Sequence, residues 1–131
     1  MRLLTKRIYE PSSPGDGYRV LVDRLWPRGV SKDHAKLDAW EKNLSPGDEL
    51  RKWFQHDPER WEEFRRRYRK ELNAKKGNVS AMLEHATQKT ITLLFGARDT
   101  HHNNAIVLKE FIEEELSADC PDTVKSKSSR A

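Results

Sequence analysis

The stretch TITLLFG, residues 90–96, is the most informative part of the sequence for the fold. The run is apolar and rich in residues that favour strands, and a glycine ends it. Such a short run bounded in this way is typical of a strand that is buried on both faces. A polar loop and a helical pattern follow it directly. The stretch therefore predicts a layered α/β domain with Thr90–Gly96 as the central strand.

Two or three further strands are predicted from the rest of the chain. Residues 3–9 form an apolar run followed by a turn that is rich in proline and glycine, and residues 18–25 alternate between apolar and polar side chains. Residues 36–44 are ambiguous between strand and loop, and we favour a short strand there. Together these runs predict a partly parallel sheet of about three or four strands that is flanked by helices.

Helix start signals divide the middle of the chain. Ser45 followed by Pro46 predicts a helix over 45–55, and Asp57 followed by Pro58 predicts a helix that Gly77 ends. Shorter helical patterns cover 79–87 and 103–116. One domain over 1–118 is expected, followed by a disordered tail over 119–131. The predicted core comprises Val20, Val22, Trp53, Phe64, Tyr68, Leu93, Leu94, Leu108 and Ile112.

Composition narrows the class of protein. The chain has 131 residues, of which 35% are hydrophobic and 35% are charged, and its formal net charge is +4. No apolar run approaches the length of a membrane span, and we expect no signal peptide and no membrane partner. Cys120 is the single cysteine, so no disulfide can form within the chain, and a cytoplasmic location fits best.

Two loops concentrate the groups that bind anions. Residues 23–29, DRLWPRG, follow the second strand, and residues 96–104, GARDTHHNN, follow the buried strand. Ligands of open α/β sheets bind beyond the carboxyl ends of the parallel strands, where both loops are expected. Arginine forks suit phosphate and carboxylate, and the first N–H groups of the last helix add further donors.

The sequence thus predicts a pocket for a small anionic ligand that carries phosphate or carboxylate. The expected ligand-binding residues, with Trp26 as a wall, are Arg24, Trp26, Arg28, Arg98, Asn103 and Asn104. Asp23 or Asp99 would orient the arginines through charge-assisted hydrogen bonds. If the protein is a catalyst, His56 and Asp99 are the expected proton carriers, because a histidine titrates near neutral pH. No metal and no cofactor are expected.

Each of these residues also has a structural interpretation. The arginines of the two loops can pair with Asp23 and Asp99 simply to join the loops, and His56 can cap a turn. The helix over 59–76 carries a run of arginines that suits RNA, which together with the basic tail makes a nucleic-acid-binding or protein-interaction module the alternative function. Glutamates on the same helix favour a solvated, ion-paired face instead. The adjacent His101 and His102 lack the spacing of zinc ligands.

The residues quoted above also carry a resemblance to a known family. YRVLVDRLWPRGVSK (18–32), ELRKWFQHDPERWEEFRRRYRKEL (49–72) and TLLFGARDTHHNNAIVL (92–108) resemble the YeaO-like branch of domain of unknown function 488. The resemblance implies a compact cytoplasmic α/β domain. Larger relatives carry cysteines near the final strand and helix, whereas residues 95 and 101–104 here hold none, so the resemblance gives no support for thiol chemistry.

Overall fold

A computed structural model describes residues 2–86 and 89–118 of the chain. The described residues form four strands and five α-helices, joined by loops that include three short 3-10 turns. In chain order these elements are β1 (Arg2–Arg7), β2 (Tyr18–Leu21), α1 (Lys32–Ala35), β3 (Ala39–Trp40), α2 (Asp48–Phe54), α3 (Trp61–Asn73), α4 (Lys76–His85), β4 (Thr90–Phe95) and α5 (Asn104–Ala118).

All four strands run parallel in one sheet with the order β1-β4-β2-β3. Strand β4 lies inside the sheet, with Leu93 opposite Thr5 of β1 on one side and Val20 of β2 on the other. The small α/β domain and the central position of Thr90–Phe95 predicted from the sequence are therefore confirmed. The sheet is parallel throughout, because every connection between neighbouring strands crosses over rather than turning back.

The two faces of the sheet pack against different parts of the chain. Side chains from α2 to α5 cover the face that carries Val20, Ile91 and Leu93. The opposite face carries Leu21 and Leu94 and packs against the loop and short helix over 26–37. This double covering explains why both faces of β4 carry buried apolar side chains.

The predicted core is nearly complete in the structure. Every member is buried except Trp53, which is half-buried and packs at the edge of the core. The guanidinium groups of Arg60 and Arg67 lie over its indole ring, at 5.2 and 4.6 Å from the ring centroid. Trp53 is thus a platform for cations on the surface rather than an interior residue.

Two predicted helix boundaries are wrong. Ser45 does not cap α2, because its hydroxyl donates to the carbonyl of Lys42 and the helix begins after Gly47. The backbone N–H of Gly47 is bound by the Glu71 carboxylate of α3, a distant partner that the local sequence does not reveal. Gly77 does not end α3 either. It lies inside α4, which begins at Lys76.

A buried ion cluster lies between the first two strands and was not predicted. Asp16 and Arg19 form an ion pair in which both side chains are almost fully buried, and Lys6 approaches Asp16 to 3.1 Å. Arg19 also donates to the carbonyl of Ala35 at 2.7 Å. Burial opposes the charge of Asp16, but hydrogen bonds from Ser13, Lys6 and Arg19 outweigh it and leave the pKa of this carboxyl below its usual value. The cluster therefore anchors the loop between β1 and β2.

No helix among the described residues is long and apolar enough to cross a membrane. The tail predicted over 119–131 lies outside the described residues.

Candidate functional site

A cleft opens at the carboxyl ends of β1, β2 and β4, where the sequence predicts the two loops to meet. Its volume is about 540 Å³, which lies in the range of small-molecule sites, roughly 300–1,000 Å³. The loop after β2, the end of α2 and the start of α5 enclose it. The cleft is lined by Tyr9, Asp23, Arg24, Leu25, Trp26, Pro27, Pro46, Arg51, Lys52, Phe54, Gln55, His56, Phe64, Gly96, Ala97, Asn103 and Asn104.

Hydrogen bonds between three segments fix the base of the cleft. The Asp23 carboxylate accepts from the backbone N–H of Gly96 at 2.8 Å and from Nδ2 of Asn104 at 3.1 Å. Nδ2 of Asn104 also donates to the carbonyl of Val22 at 2.7 Å. A Cβ at position 96 would lie 3.1 Å from the carboxylate, so glycine allows this close approach. The ends of β2, β4 and α5 are therefore held together by side chains that also line the cleft.

The electrostatic environment of Asp23 is unusual for a carboxylate near the surface. Burial raises the pKa of Asp23, while the hydrogen bonds from Gly96 and Asn104 and the nearby His56 partly offset that rise. Arg24, whose structural interpretation was an ion pair with Asp99, instead contacts Asp48, with Nε 3.0 Å from Oδ1. The Asp23 charge is thus held by fold hydrogen bonds rather than by a guanidinium.

Cationic side chains form one wall of the cleft. Arg24 comes from the loop after β2, and Arg51 and Lys52 come from α2. The Asp48 carboxylate contacts both arginines, at 3.0 and 3.3 Å, and so holds their guanidinium groups side by side. Each arginine side chain is 39% exposed, which leaves donors accessible. Asp48 is the shared counterion of two arginines, so the wall stays net positive.

Apolar and aromatic side chains also line the cleft. Trp26 is held in place because its indole N–H donates to the carbonyl of Val30 at 2.7 Å and its ring packs edge-on against Trp40. Phe54 of α2 stacks against Phe64 of α3, with ring centroids 4.1 Å apart. The two phenylalanines are buried and support the floor of the cleft, and the partly exposed Trp26 ring offers a flat ligand an apolar surface.

Two residues at the end of α2 adopt a conformation that non-glycine residues rarely use. Gln55 has a φ of +48° and His56 a φ of +56°. The left-handed conformation at Gln55 ends the helix, and its N–H donates to the carbonyl of Arg51 at 3.2 Å. The second left-handed residue turns the chain again, so that His56 lines the cleft with its ring 5.9 Å from that of Phe54. Backbone strain of this kind concentrates at functional sites.

The second predicted loop folds on itself. The Asp99 carboxylate accepts from the backbone N–H groups of His101 and His102 at 2.8 and 3.0 Å and lies 2.9 Å from the His102 ring. These contacts, led by the His101 N–H, lower the pKa of Asp99. Asn103 caps α5, because its Oδ1 accepts from the backbone N–H of Ile106 at 3.0 Å. Asp99 and Asn103 therefore shape the loop and the helix start.

The structure brings together five of the residues expected at the site and leaves three outside. Five of them line the cleft, namely Arg24, Trp26, His56, Asn103 and Asn104. Arg28, Arg98 and Asp99 do not line it, and the two arginines are exposed. The backbone carbonyl of Arg28, not its side chain, binds the Tyr9 hydroxyl. Proton transfer by His56 and Asp99 stays a prediction, as does ligand binding by Arg24, Trp26, Arg28, Arg98, Asn103 and Asn104.

Arg51 and Lys52 are the lining cations that sequence reasoning missed. Both lie in the segment ELRKWFQ, residues 49–55, which reads as an ordinary amphipathic helix. The signal that could have found them is their place just before the helix end, next to His56.

The other charged surfaces are largely paired. On α3, Arg65 contacts Glu110 of α5 at 2.8 Å, Arg69 contacts Glu114, and Glu63 binds both Arg66 and Arg67. Arg66 and Arg67 lower the pKa of Glu63 to about 2. Over residues 2–86 and 89–118, no three His, Cys, Asp or Glu side chains cluster in a way that would hold a metal ion.

The fold and the cleft define a small parallel α/β domain with a concave, positively charged site at its strand ends. Comparison with known families makes the assignment specific. The chain belongs to the DUF488 family, and the family model that matches residues 2–130 is described as the inactive DUF488-N3 subclade.

Relatives agree with this assignment. The chain is 39% identical over 112 residues to the uncharacterized protein YeaO of Escherichia coli (strain K12), which covers 86% of this chain and 97% of that protein. It is 36% identical over 111 residues to the uncharacterized protein Rv3073c of Mycobacterium tuberculosis (strain ATCC 25618 / H37Rv), covering 85% of this chain and 93% of the relative. No solved structure matches the chain with significance.

Proposed function

We propose that the protein binds a small anionic organic ligand, bearing phosphate or carboxylate, in the cleft at the strand ends. The observation that carries the proposal is the pairing of Arg24 and Arg51 on one carboxylate, Asp48, beside Lys52. Two guanidinium groups held side by side offer several N–H donors in fixed positions, which suits a tetrahedral or planar anion. The apolar and aromatic side chains that line the same cleft suit an apolar or flat body attached to that anion.

The proposal is one of binding, and it assigns no turnover. Of the two proton carriers expected from the sequence, His56 lines the cleft and Asp99 does not. The Asp99 carboxylate instead binds groups of its own loop. The description of the matching subclade as inactive supports the same emphasis. The absence of a membrane-spanning helix among the described residues is compatible with the proposed cytoplasmic location.

Titration of the ¹⁵N-labelled full-length protein with phenyl phosphate and benzoate tests the proposal. We expect at least one probe to shift the Trp26 indole N–H signal in a saturable manner. Replacing Arg51 with alanine should weaken that binding about tenfold or more, since a hydrogen bond to a charged group contributes roughly 1.5–3 kcal/mol. The matched control is Arg66→Ala, which removes an exposed arginine that does not line the cleft and should change the affinity less than twofold.

Nucleic-acid binding by the arginines of α3 is the second candidate. It would require these arginines to exchange their present partners, Glu63, Glu110 and Glu114, for phosphates. Several phosphate contacts would give an affinity that falls steeply with salt. Tight, salt-sensitive RNA or DNA binding that Arg66→Glu with Arg69→Glu abolishes, together with no binding of the small anions, would replace the proposed function by this one.

A further inference from the structure

The base of the cleft differs chemically from its cationic wall. Asp23 is the acidic side chain that lines the cleft, and it lies deeper than Arg24 and Arg51 because it touches the strand end at Gly96. A carboxylate can accept about four hydrogen bonds, and the fold supplies one to each oxygen of Asp23. Each oxygen thus keeps the capacity to accept one more donor from a ligand.

Asn104 adds to this accepting character. Both protons of its Nδ2 group are committed to the fold, one to Val22 and one to Asp23. What Asn104 can offer a ligand is therefore its amide oxygen, which is an acceptor. The base of the cleft thus presents hydrogen-bond acceptors, whereas the wall of Arg24, Arg51 and Lys52 presents positively charged donors.

A simple anion would leave the Asp23 charge poorly compensated. A half-buried carboxylate costs free energy unless it is hydrogen-bonded, and the raised pKa of Asp23 reflects that cost. A ligand with two adjacent N–H groups can bind both carboxylate oxygens at once. Such paired hydrogen bonds to an ionised group are stronger than hydrogen bonds between neutral groups.

We infer, resting on the proposed function, that the ligand is a purine nucleoside monophosphate whose base presents adjacent N–H donors to Asp23. Guanine offers such an edge, with its ring N–H next to an exocyclic amine. The accessible rings of Trp26 and His56 line the cleft and give a flat base a surface to pack against, and base–aromatic stacking stabilises nucleotides in many proteins. The phosphate then lies against Arg24, Arg51 and Lys52.

Calorimetric titration of the full-length protein with GMP, IMP and ribose 5-phosphate at neutral pH tests this inference. IMP differs from GMP by the missing exocyclic amine, and ribose 5-phosphate lacks the base. We expect GMP to bind at least tenfold more tightly than ribose 5-phosphate and at least threefold more tightly than IMP. The variant Asp23→Asn should reduce the preference for GMP over IMP to less than twofold while the protein still binds ribose 5-phosphate.

The outcomes separate this inference from the proposed function. If GMP binds no better than ribose 5-phosphate, the inference is wrong and the anion site remains. If none of the three ligands nor phenyl phosphate nor benzoate binds, both proposals fail. Should Asp23→Asn not fold, the comparison of GMP with IMP on the unaltered protein still decides the matter, because equal affinity for the two contradicts a role for the exocyclic amine.

Discussion

The Asp23 carboxylate accepts a hydrogen bond from the backbone N–H of Gly96 at 2.8 Å, and this contact joins the ends of β2 and β4. The residues are 73 positions apart in the chain. The contact brings the two loops that the sequence singled out to one edge of the sheet. It also means that a residue of the proposed ligand site supports the fold.

Replacing Asp23 with alanine should therefore destabilise the protein. The change leaves the N–H of Gly96 and one proton of Asn104 without their acceptor, and an unsatisfied buried donor costs about 1–3 kcal/mol. Urea unfolding followed by circular dichroism measures the loss. Glu113→Ala on the exposed side of α5 is the control and should change stability by less than about 0.5 kcal/mol. Equal effects of the two changes would contradict a structural role for Asp23.

Asp23 and Asp99 should give stability opposite dependences on pH. The pKa of Asp23 is raised in the folded state, so its contribution is fully present below the unfolded pKa near 3.9 and is lost as pH rises through the folded pKa. The pKa of Asp99 is lowered, so its contribution is present above the unfolded pKa and is lost as pH falls through the folded pKa.

Unfolding free energies of Asp23→Asn and Asp99→Asn, each compared with the unaltered protein between pH 3 and pH 8, measure these slopes. Relative to its asparagine variant, the unaltered protein should lose stability with rising pH in the case of Asp23 and gain it in the case of Asp99. Parallel slopes for the two variants would contradict the opposite pKa shifts of Asp23 and Asp99.

The Asp16–Arg19 pair should matter far more for stability than the Glu63–Arg66 pair. Removing one partner of a buried ion pair costs about 3–5 kcal/mol, because the other charge stays buried, whereas an exposed pair is screened by solvent and contributes little. Arg19→Ala should thus destabilise strongly. Arg66→Ala, whose side chain is 66% exposed, should have little effect. Thermal unfolding of both variants compares them, and similar melting temperatures would contradict the assigned burial of Arg19.

The sequence was sufficient for the parts of the fold that depend on local patterns. The apolar run over 90–96 predicted the central strand, and the alternation around Val20 predicted the faces of β2. Asp57 caps as expected, since its carboxylate accepts from the N–H of Glu59 at 3.0 Å, although what it caps is the 3-10 turn over Pro58–Arg60 that leads into α3. These features need only neighbours in the chain.

The features that were missed depend on residues far apart in sequence. Gly47 rather than Ser45 precedes α2 because Glu71 binds its N–H from α3, and Arg24 pairs with Asp48 rather than Asp99 because α2 packs beside the loop. The same packing brings Arg51 and Lys52 to the cleft. The spacing of residues along the chain does not indicate which of several exposed cationic side chains will line the same cleft.

The sheet order has a consequence for how the chain acquires its structure. Among the described strands β1 pairs only with β4, and the register places Arg2 opposite Thr90. During synthesis β1 and β2 therefore leave the ribosome long before β4. Neither can form its pairing with β4 until that strand has been made. Pairings between such distant segments slow folding and prolong the exposure of apolar strands. The domain is expected to form as one cooperative event, only after nearly all of its residues have been translated.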